Sequence, residues 1–136
     1  GILRVATDLS TEILGAAKAG RYTQDTVSGI PTRLRAIWTG AKENMAEVHP
    51  LVRDRVSFRK LNLLEHWPMK GLFDAIFCRN VMIYFDEPTK ERLQTRLADQ
   101  LAPGGFLYIG HSERLSPSVA PRFACVGRTT FQKVAA

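Results

Sequence analysis

The sequence predicts an α/β fold with a mostly parallel sheet and a C-terminal antiparallel hairpin. Short apolar runs alternate with amphipathic helix patterns along the 136 residues, which is typical of strand–helix–strand units. The last two apolar runs, 122–127 and 129–134, are close enough to pair as a hairpin. Because ligands bind beyond the carboxyl ends of parallel strands, the fold class also indicates where a site would lie.

The first half of the chain begins with a strand and a helix. Residues 2–7, ILRVAT, are predicted as a strand that ends in Asp8. A helix follows with Ser10 as its N-cap, and Gly20 is placed to end it. Residues 31–55 are predicted as a small insertion or β-subdomain, since glycines and prolines interrupt an irregular segment with modest apolar surface.

The second half has a clearer pattern of strands and one helix. Residues 56–61, VSFRKL, and the strongly apolar 73–78, FDAIFC, are predicted as strands, the second of them buried. Asp86 begins a helix that carries proline in its first turn. The prolyl-diglycine at 103–105 is predicted to stop that helix, and 106–110, FLYIG, is the next strand.

Composition and charge restrict the class of protein. The chain is 45% hydrophobic and 24% charged, and it contains no run of 18 apolar residues, so no membrane insertion is predicted. Cys78 and Cys125 lack metal-site spacing and are interpreted as small core residues in a reducing compartment, the cytoplasm. The net charge of +6 predicts an acidic partner, either nucleic acid or an acidic protein surface.

Polar residues follow three of the predicted strands. Asp8, Asn62 and the pair Arg79-Asn80 each stand at a carboxyl end. Each has a structural alternative: Asp8 as a helix cap, Asn62 as a turn residue, and Arg79 as a solvated or paired cation beside Asp74. Together, in this order, they favour a ligand of the adenosine type, because a carboxylate can accept from a ribose diol and an amide can bind an adenine edge.

Two longer stretches resemble one family. NLLEHWPMKGLFDAIFCRNVMIYFD (62–86) and APGGFLYIGHSE (102–113), joined by an amphipathic helix, are similar to the catalytic domain of CheR, the methyltransferases of bacterial chemotaxis receptors. The similarity runs from about Val5 to Lys133. It implies a Rossmann-like S-adenosylmethionine-dependent methyltransferase fold, with residues 1–136 as a partial domain. The implied reaction forms glutamate methyl esters on methyl-accepting chemotaxis receptors and S-adenosylhomocysteine as product, without nucleic acid as a partner.

The resemblance also implies roles for individual residues. The cofactor-binding set is Asp8 at the ribose hydroxyls, Asn62 and Leu63 beside the adenine, and Arg79 and Asn80 along the methionine half. Tyr84 matches a family tyrosine close to the transferred methyl, with a core aromatic as the alternative. His111, Ser112 and Glu113 match a stretch with a structural or substrate-lip role. No metal is implied, since a sulfonium methyl is already activated and a glutamate carboxylate is already ionised near neutral pH.

The sequence departs from the family at its start. The family's first strand and glycine-rich cofactor loop have no counterpart, so we expect an N-terminally truncated domain that is inactive alone and dimerises through exposed strand edges. Residues 41–47, AKENMAE, replace a glycine-richer turn, which leaves binding of a receptor tether open. The alternatives are a non-catalytic module that binds cofactor or receptor, and a basic nucleic-acid-binding domain.

Overall fold

A computed structural model describes residues 3–134, and the chain divides into two compact units between Trp67 and Pro68. Ile2, the first residue of the first predicted strand, lies outside the described residues. Among the helices of residues 3–134, none is long and apolar enough to cross a membrane.

A parallel strand pair with one connecting helix frames the first unit. Strand β1 (Val5–Asp8) pairs in parallel with β5 (Ser57–Lys60), so both strands end at the same side. Helix α1 (Thr11–Ala19) begins after Ser10, whose side chain accepts a hydrogen bond from the first turn. It ends at Gly20, which adopts a φ of 66° that only glycine reaches without cost. Both predicted helix boundaries are therefore confirmed.

The segment between these strands contains a second, antiparallel sheet. Its three strands lie in the order β2-β4-β3. The elements are β2 (Arg21–Thr23), α2 (Gln24–Val27), α3 (Thr32–Trp38), β3 (Thr39–Lys42), β4 (Met45–Val48) and α4 (Pro50–Arg53). Glu43 and Asn44 connect β3 to β4 with positive φ angles, as a tight hairpin requires. A separate subdomain at 31–55 stays a prediction, since these elements belong to the same compact unit as β1 and β5.

The second unit is a four-stranded mixed sheet with one long helix. Its elements are β6 (Phe73–Cys78), α5 (Glu87–Gln100), β7 (Leu101–Ile109), β8 (Phe123–Cys125) and β9 (Thr130–Lys133). The strand order is β6-β7-β9-β8, with β6 parallel to β7 and the other pairs antiparallel. The predicted α/β class and the C-terminal hairpin are therefore confirmed.

Helix α5 packs one face into the core of this unit. Asp86 caps the helix by accepting a hydrogen bond from the Thr89 N–H at 2.9 Å. Leu93 and Leu97 are buried on α5, and Leu107 is buried on β7. Burying such a side chain stabilises a fold by roughly 1.5–3 kcal/mol, so these contacts hold the helix against the sheet.

The end of α5 differs from the prediction. The helix ends at Gln100 and β7 begins at Leu101, so Pro103 lies inside the strand rather than at the helix stop. Leu101 pairs with Phe73, and the register then shifts before Ala75 pairs with Phe106. Pro103, Gly104 and Gly105 therefore form a bulge in β7, after its buried first residue Leu101. A bulge accommodates a proline because its residues lie outside the regular hydrogen bonding between the strands.

Two predictions of burial were wrong. The Phe77 side chain of β6 is 72% exposed and stacks on Tyr108 at 4.3 Å between ring centroids. Within the described residues β6 pairs with β7 alone, and Cys78 is the one buried residue of this apolar strand. Cys125 is also exposed, because β8 is an edge strand; Cys78 alone is buried as predicted.

Candidate functional site

Asp8 stands at the carboxyl end of β1 in the first unit. Its Oδ1 accepts a hydrogen bond from the Ser10 N–H at 2.8 Å, and its backbone carbonyl accepts from the Leu61 N–H at 3.0 Å. Among residues 3–134, Oδ2 receives no hydrogen bond from the protein. Ser10 caps α1, so the alternative of Asp8 as the helix cap does not hold. The Asp8 side chain makes an Asx-turn bond that engages one carboxylate oxygen, and the other is available to a ligand donor.

Asn62 and Leu63 follow the neighbouring strand β5. Parallel pairing aligns Asp8 with Lys60, so this segment leaves the sheet on the same side as Asp8. The Asn62 Oδ1 accepts from the Leu64 N–H at 3.0 Å, which makes an Asx turn. The Leu63 carbonyl accepts from the Trp67 indole N–H at 3.0 Å, and both Asn62 and Leu63 are half-buried. The turn is therefore held rigidly by local hydrogen bonds.

Arg79 and Asn80 follow β6 in the second unit. The Arg79 Nε–H donates to the Ile109 carbonyl at the end of β7, at 3.1 Å. The predicted partner Asp74 does not form an ion pair with it in the described part of the chain. Asn80 adopts a φ of 60°, the left-handed conformation that asparagine tolerates better than most residues. Both side chains are exposed at the strand end.

Tyr84 ends a 3-10 turn that spans Met82–Tyr84. Its side chain is 82% exposed, while Met82 of the same turn is buried. The alternative interpretation of Tyr84 as a core aromatic therefore does not hold within the second unit. Its hydroxyl and ring are accessible beside the loop that carries Arg79 and Asn80.

Sequence reasoning underestimated Glu113. Its side chain is buried, and its carboxylate accepts hydrogen bonds from three backbone N–H groups: Asn80 at 2.8 Å, Met82 at 2.8 Å and Gly110 at 2.6 Å. His111 and Ser112 of the same stretch are exposed and lie outside this network. A glutamate in a polar turn carries no sequence signal for burial, because two of its three partners, Asn80 and Met82, lie more than 30 residues away.

The buried carboxylate affects the neighbouring thiol. Burial, and secondarily the negative charge of Glu113, raise the pKa of Cys78 to about 11. Cys78 therefore remains a neutral thiol at physiological pH and is unsuited to act as a nucleophile.

The predicted residues thus form two groups, one in each unit. Asp8, Asn62 and Leu63 lie at the ends of β1 and β5. Arg79, Asn80, Tyr84 and Glu113 lie at or near the ends of β6 and β7. Polar groups at the carboxyl ends of parallel strands are the usual setting for ligand binding in α/β folds.

Solved structures define the fold class. The N-methyltransferase NodS from Bradyrhizobium japonicum WM9 superposes with a TM-score of 0.56 at 16% identity, covering 96% of this chain and 73% of that chain. PKMT2 from Rickettsia typhi, solved in complex with AdoHcy, gives a TM-score of 0.50 at 18% identity, covering 79% of this chain and 16% of that one. The fold is that of the Rossmann-like methyltransferases.

Sequence comparison identifies the family within that class. The family described as CheR methyltransferase, SAM binding domain, matches residues 2–132. A probable chemotaxis protein methyltransferase of Rhizobium etli is 42% identical, over 94% of this chain and 49% of that protein. Chemotaxis protein methyltransferase 1 of Pseudomonas aeruginosa is 44% identical, over 85% of this chain and 43% of that protein. The chain belongs to the CheR methyltransferase family and spans about half the length of these curated relatives.

Proposed function

We propose that the protein carrying this chain transfers a methyl group from S-adenosylmethionine to glutamate carboxylates of chemoreceptors. The product of the cofactor is S-adenosylhomocysteine. The observation that carries the proposal is the family match over residues 2–132, and the polar strand ends described above give it a chemical basis.

The residues of the first unit suit the nucleoside part of this cofactor. Asp8 has an oxygen without a protein donor at a strand end, and a carboxylate can accept from both hydroxyls of a ribose. The side-chain carbonyl oxygen of Asn62 already accepts a hydrogen bond in the Asx turn, so its NH₂ group is the part available to an adenine nitrogen. Leu63 supplies a half-buried apolar side chain beside it. These residues therefore fit the cofactor, with roles that remain proposals.

The residues of the second unit suit the methionine part and the reaction centre. S-adenosylmethionine supplies an activated methyl on a sulfonium when it is bound. Arg79 and Asn80 offer donors for a carboxylate, with Arg79 oriented by its bond to the Ile109 carbonyl. Tyr84 combines an accessible ring and a hydroxyl, which can orient a substrate carboxylate and exclude water from it. A glutamate is ionised near neutral pH, so this chain need not remove a proton.

The proposed partner is a methyl-accepting chemotaxis receptor, met in the cytoplasm. The net charge of +6 favours an acidic protein surface such as a row of glutamates. The exposed Cys125 is a free thiol, which suits a reducing compartment.

Self-association through strand edges is a further part of the proposal. In the described residues β6 has one edge without a partner strand, and it exposes Phe77. Such an edge invites pairing with another chain. Light scattering of the isolated 136-residue chain should then give a concentration-dependent mass; a monomer at all concentrations contradicts this part alone.

The methyl-transfer proposal is tested with the protein that carries this chain. Tritium-labelled S-adenosylmethionine is incubated with it and a chemoreceptor, and the product is treated with base. Glutamate methyl esters release labelled methanol under those conditions, whereas N-methyl groups remain bound. Label that resists base, or that also enters a receptor whose glutamates are replaced by alanine, would contradict the proposed reaction.

A further inference from the structure

A buried carboxylate ties together the ends of two strands. Glu113 Oε1 accepts from the Asn80 and Gly110 N–H groups, and Oε2 accepts from the Met82 N–H. Asn80 and Met82 belong to the loop after β6, whereas Gly110 directly follows β7. Hydrogen bonds to an ionised acceptor are stronger than neutral ones, and burial reduces their competition with water. The carboxylate therefore holds the two strand ends in one arrangement.

The backbone of the loop depends on this arrangement. Asn80 has a φ of 60°, which a non-glycine residue keeps only when its surroundings stabilise it. The N–H of that same residue donates to Glu113 at 2.8 Å. Two residues later, the Met82 N–H donates to the other oxygen, so the carboxylate fixes both sides of Val81.

Gly110 shows how closely the parts fit. A Cβ atom there would lie 2.3 Å from the Asn80 Oδ1 and 2.8 Å from the Glu113 Oε1. The Asn80 side chain thus packs directly over Gly110, and a small residue is needed for it to do so. Arg79 adds a parallel tie through its bond to the Ile109 carbonyl.

We infer that Glu113 is a positioning residue for cofactor binding, which sets the geometry of Arg79 and Asn80 by accepting the backbone N–H groups of Asn80, Met82 and Gly110. The inference rests on the proposed function, because it assigns those two residues to the cofactor.

The test uses Glu113→Gln, which keeps the size of the side chain. Its carboxamide has one oxygen and turns an NH₂ group toward an N–H donor, so at least one of the three bonds is lost. Leu97→Ala is the control. Leu97 is a buried residue of α5 that makes none of these hydrogen bonds, and its replacement by alanine lowers stability by leaving a cavity. Both variants are measured at temperatures at which circular dichroism shows them folded.

The first readout is amide hydrogen exchange by NMR, which needs no cofactor. Glu113→Gln should speed exchange at Asn80, Met82 and Gly110 by roughly tenfold or more relative to the Leu107 amide, as expected for loss of a hydrogen bond to a charged group. Leu97→Ala should not change this ratio. Unchanged exchange in Glu113→Gln would overturn the inference.

The second readout is titration with S-adenosylhomocysteine, on the chain and on the protein that carries it. Glu113→Gln should weaken binding by about tenfold while Leu97→Ala binds as the wild type does, since a lost charged hydrogen bond corresponds to about that factor. In the methyl-transfer assay the KM for S-adenosylmethionine should rise and the KM for receptor should not. Equal affinity of Glu113→Gln and wild type would overturn the inference and leave the proposed function intact.

Failure of the inference on Glu113 and failure of the proposed function are distinguishable. If wild-type protein in both lengths binds no S-adenosylhomocysteine, the proposed function is wrong and the role of Glu113 in cofactor binding falls with it. Amide exchange would then still report whether the carboxylate holds the loop.

Discussion

Gly110→Ala is predicted to disrupt the end of β7 although it adds a single methyl group. The new Cβ would lie 2.3 Å from the Asn80 Oδ1, 2.8 Å from the Glu113 Oε1 and 3.0 Å from the Asn80 N. An ordinary contact begins near 3.4 Å, so the Asn80 oxygen must retreat by roughly 1 Å. The exposed Asn80 side chain can rotate away, but the Glu113 Oε1 and the Asn80 N are joined by a short hydrogen bond, and a second one joins Oε1 to Gly110 itself, so these two atoms cannot move alone.

The magnitude follows from two costs. Overpacking by one methyl typically costs about 1–3 kcal/mol. Complete loss of a hydrogen bond to a charged group costs about 1.5–3 kcal/mol. The methyl group would weaken the bonds to the Glu113 carboxylate without removing them, so only a part of that free energy is lost. We therefore expect Gly110→Ala to lower the free energy of unfolding by roughly 2–4 kcal/mol.

Urea unfolding followed by far-UV circular dichroism measures this change. Gly127→Ala is the matched control in the same unit, because its Cβ would lie no closer than 3.4 Å to Thr130. It should change the free energy of unfolding by less than about 0.5 kcal/mol. If Gly110→Ala also changes the free energy of unfolding by less than about 0.5 kcal/mol, the ends of β6 and β7 accommodate the methyl group without strain and the prediction is wrong.

Three further predictions concern other parts of the chain. Tyr84→Phe should lower turnover more than affinity for S-adenosylhomocysteine, and equal losses in both would contradict the proposed place of its hydroxyl near the reaction centre. Iodoacetamide at pH 8 should modify exposed Cys125 and spare Cys78 until the protein unfolds, because a rise of the Cys78 pKa from 9.0 to about 11 lowers its thiolate fraction about 100-fold; mass spectrometry showing equal rates would contradict this. Hydrogen bonds from Thr89 lower the pKa of Asp86 from its usual value of 3.8, so its charge stabilises the fold above that pH and the stabilisation is lost as the pH falls further. In urea unfolding, the free energy of unfolding of Asp86→Asn should therefore depend less steeply on pH in the acid range. The same dependence in Asp86→Asn and wild type would count against the role of Asp86 as a cap.

Local signals made both ends of α1 and the start of α5 predictable. Ser10 and Asp86 accept hydrogen bonds from their own first turns, and Gly20 ends α1 with a positive φ, so these boundaries depend on residues next to them in sequence. Asp8 and Arg79 were predictable as strand-end residues for the same reason, since each directly follows an apolar run.

Features that depend on distant residues were missed. The exposure of Phe77 depends on which elements cover β6, and that of Cys125 depends on β8 being an edge strand. The start of β7 at Leu101 is set by pairing with Phe73, which outweighs the turn preference of the following proline. The burial of Glu113 required two of its donors, Asn80 and Met82, to be brought from the end of another strand.

Calorimetric titration with S-adenosylhomocysteine tests the proposal that Asp8 binds the cofactor at the end of β1. Asp8→Asn keeps an oxygen for the Ser10 N–H but removes the charge and one acceptor, whereas Asp25→Asn is a matched change on α2. We expect wild type and Asp25→Asn to bind alike and Asp8→Asn to bind at least about tenfold more weakly, which is the loss expected for a hydrogen bond to a charged group. Equal affinity of Asp8→Asn and wild type would contradict it.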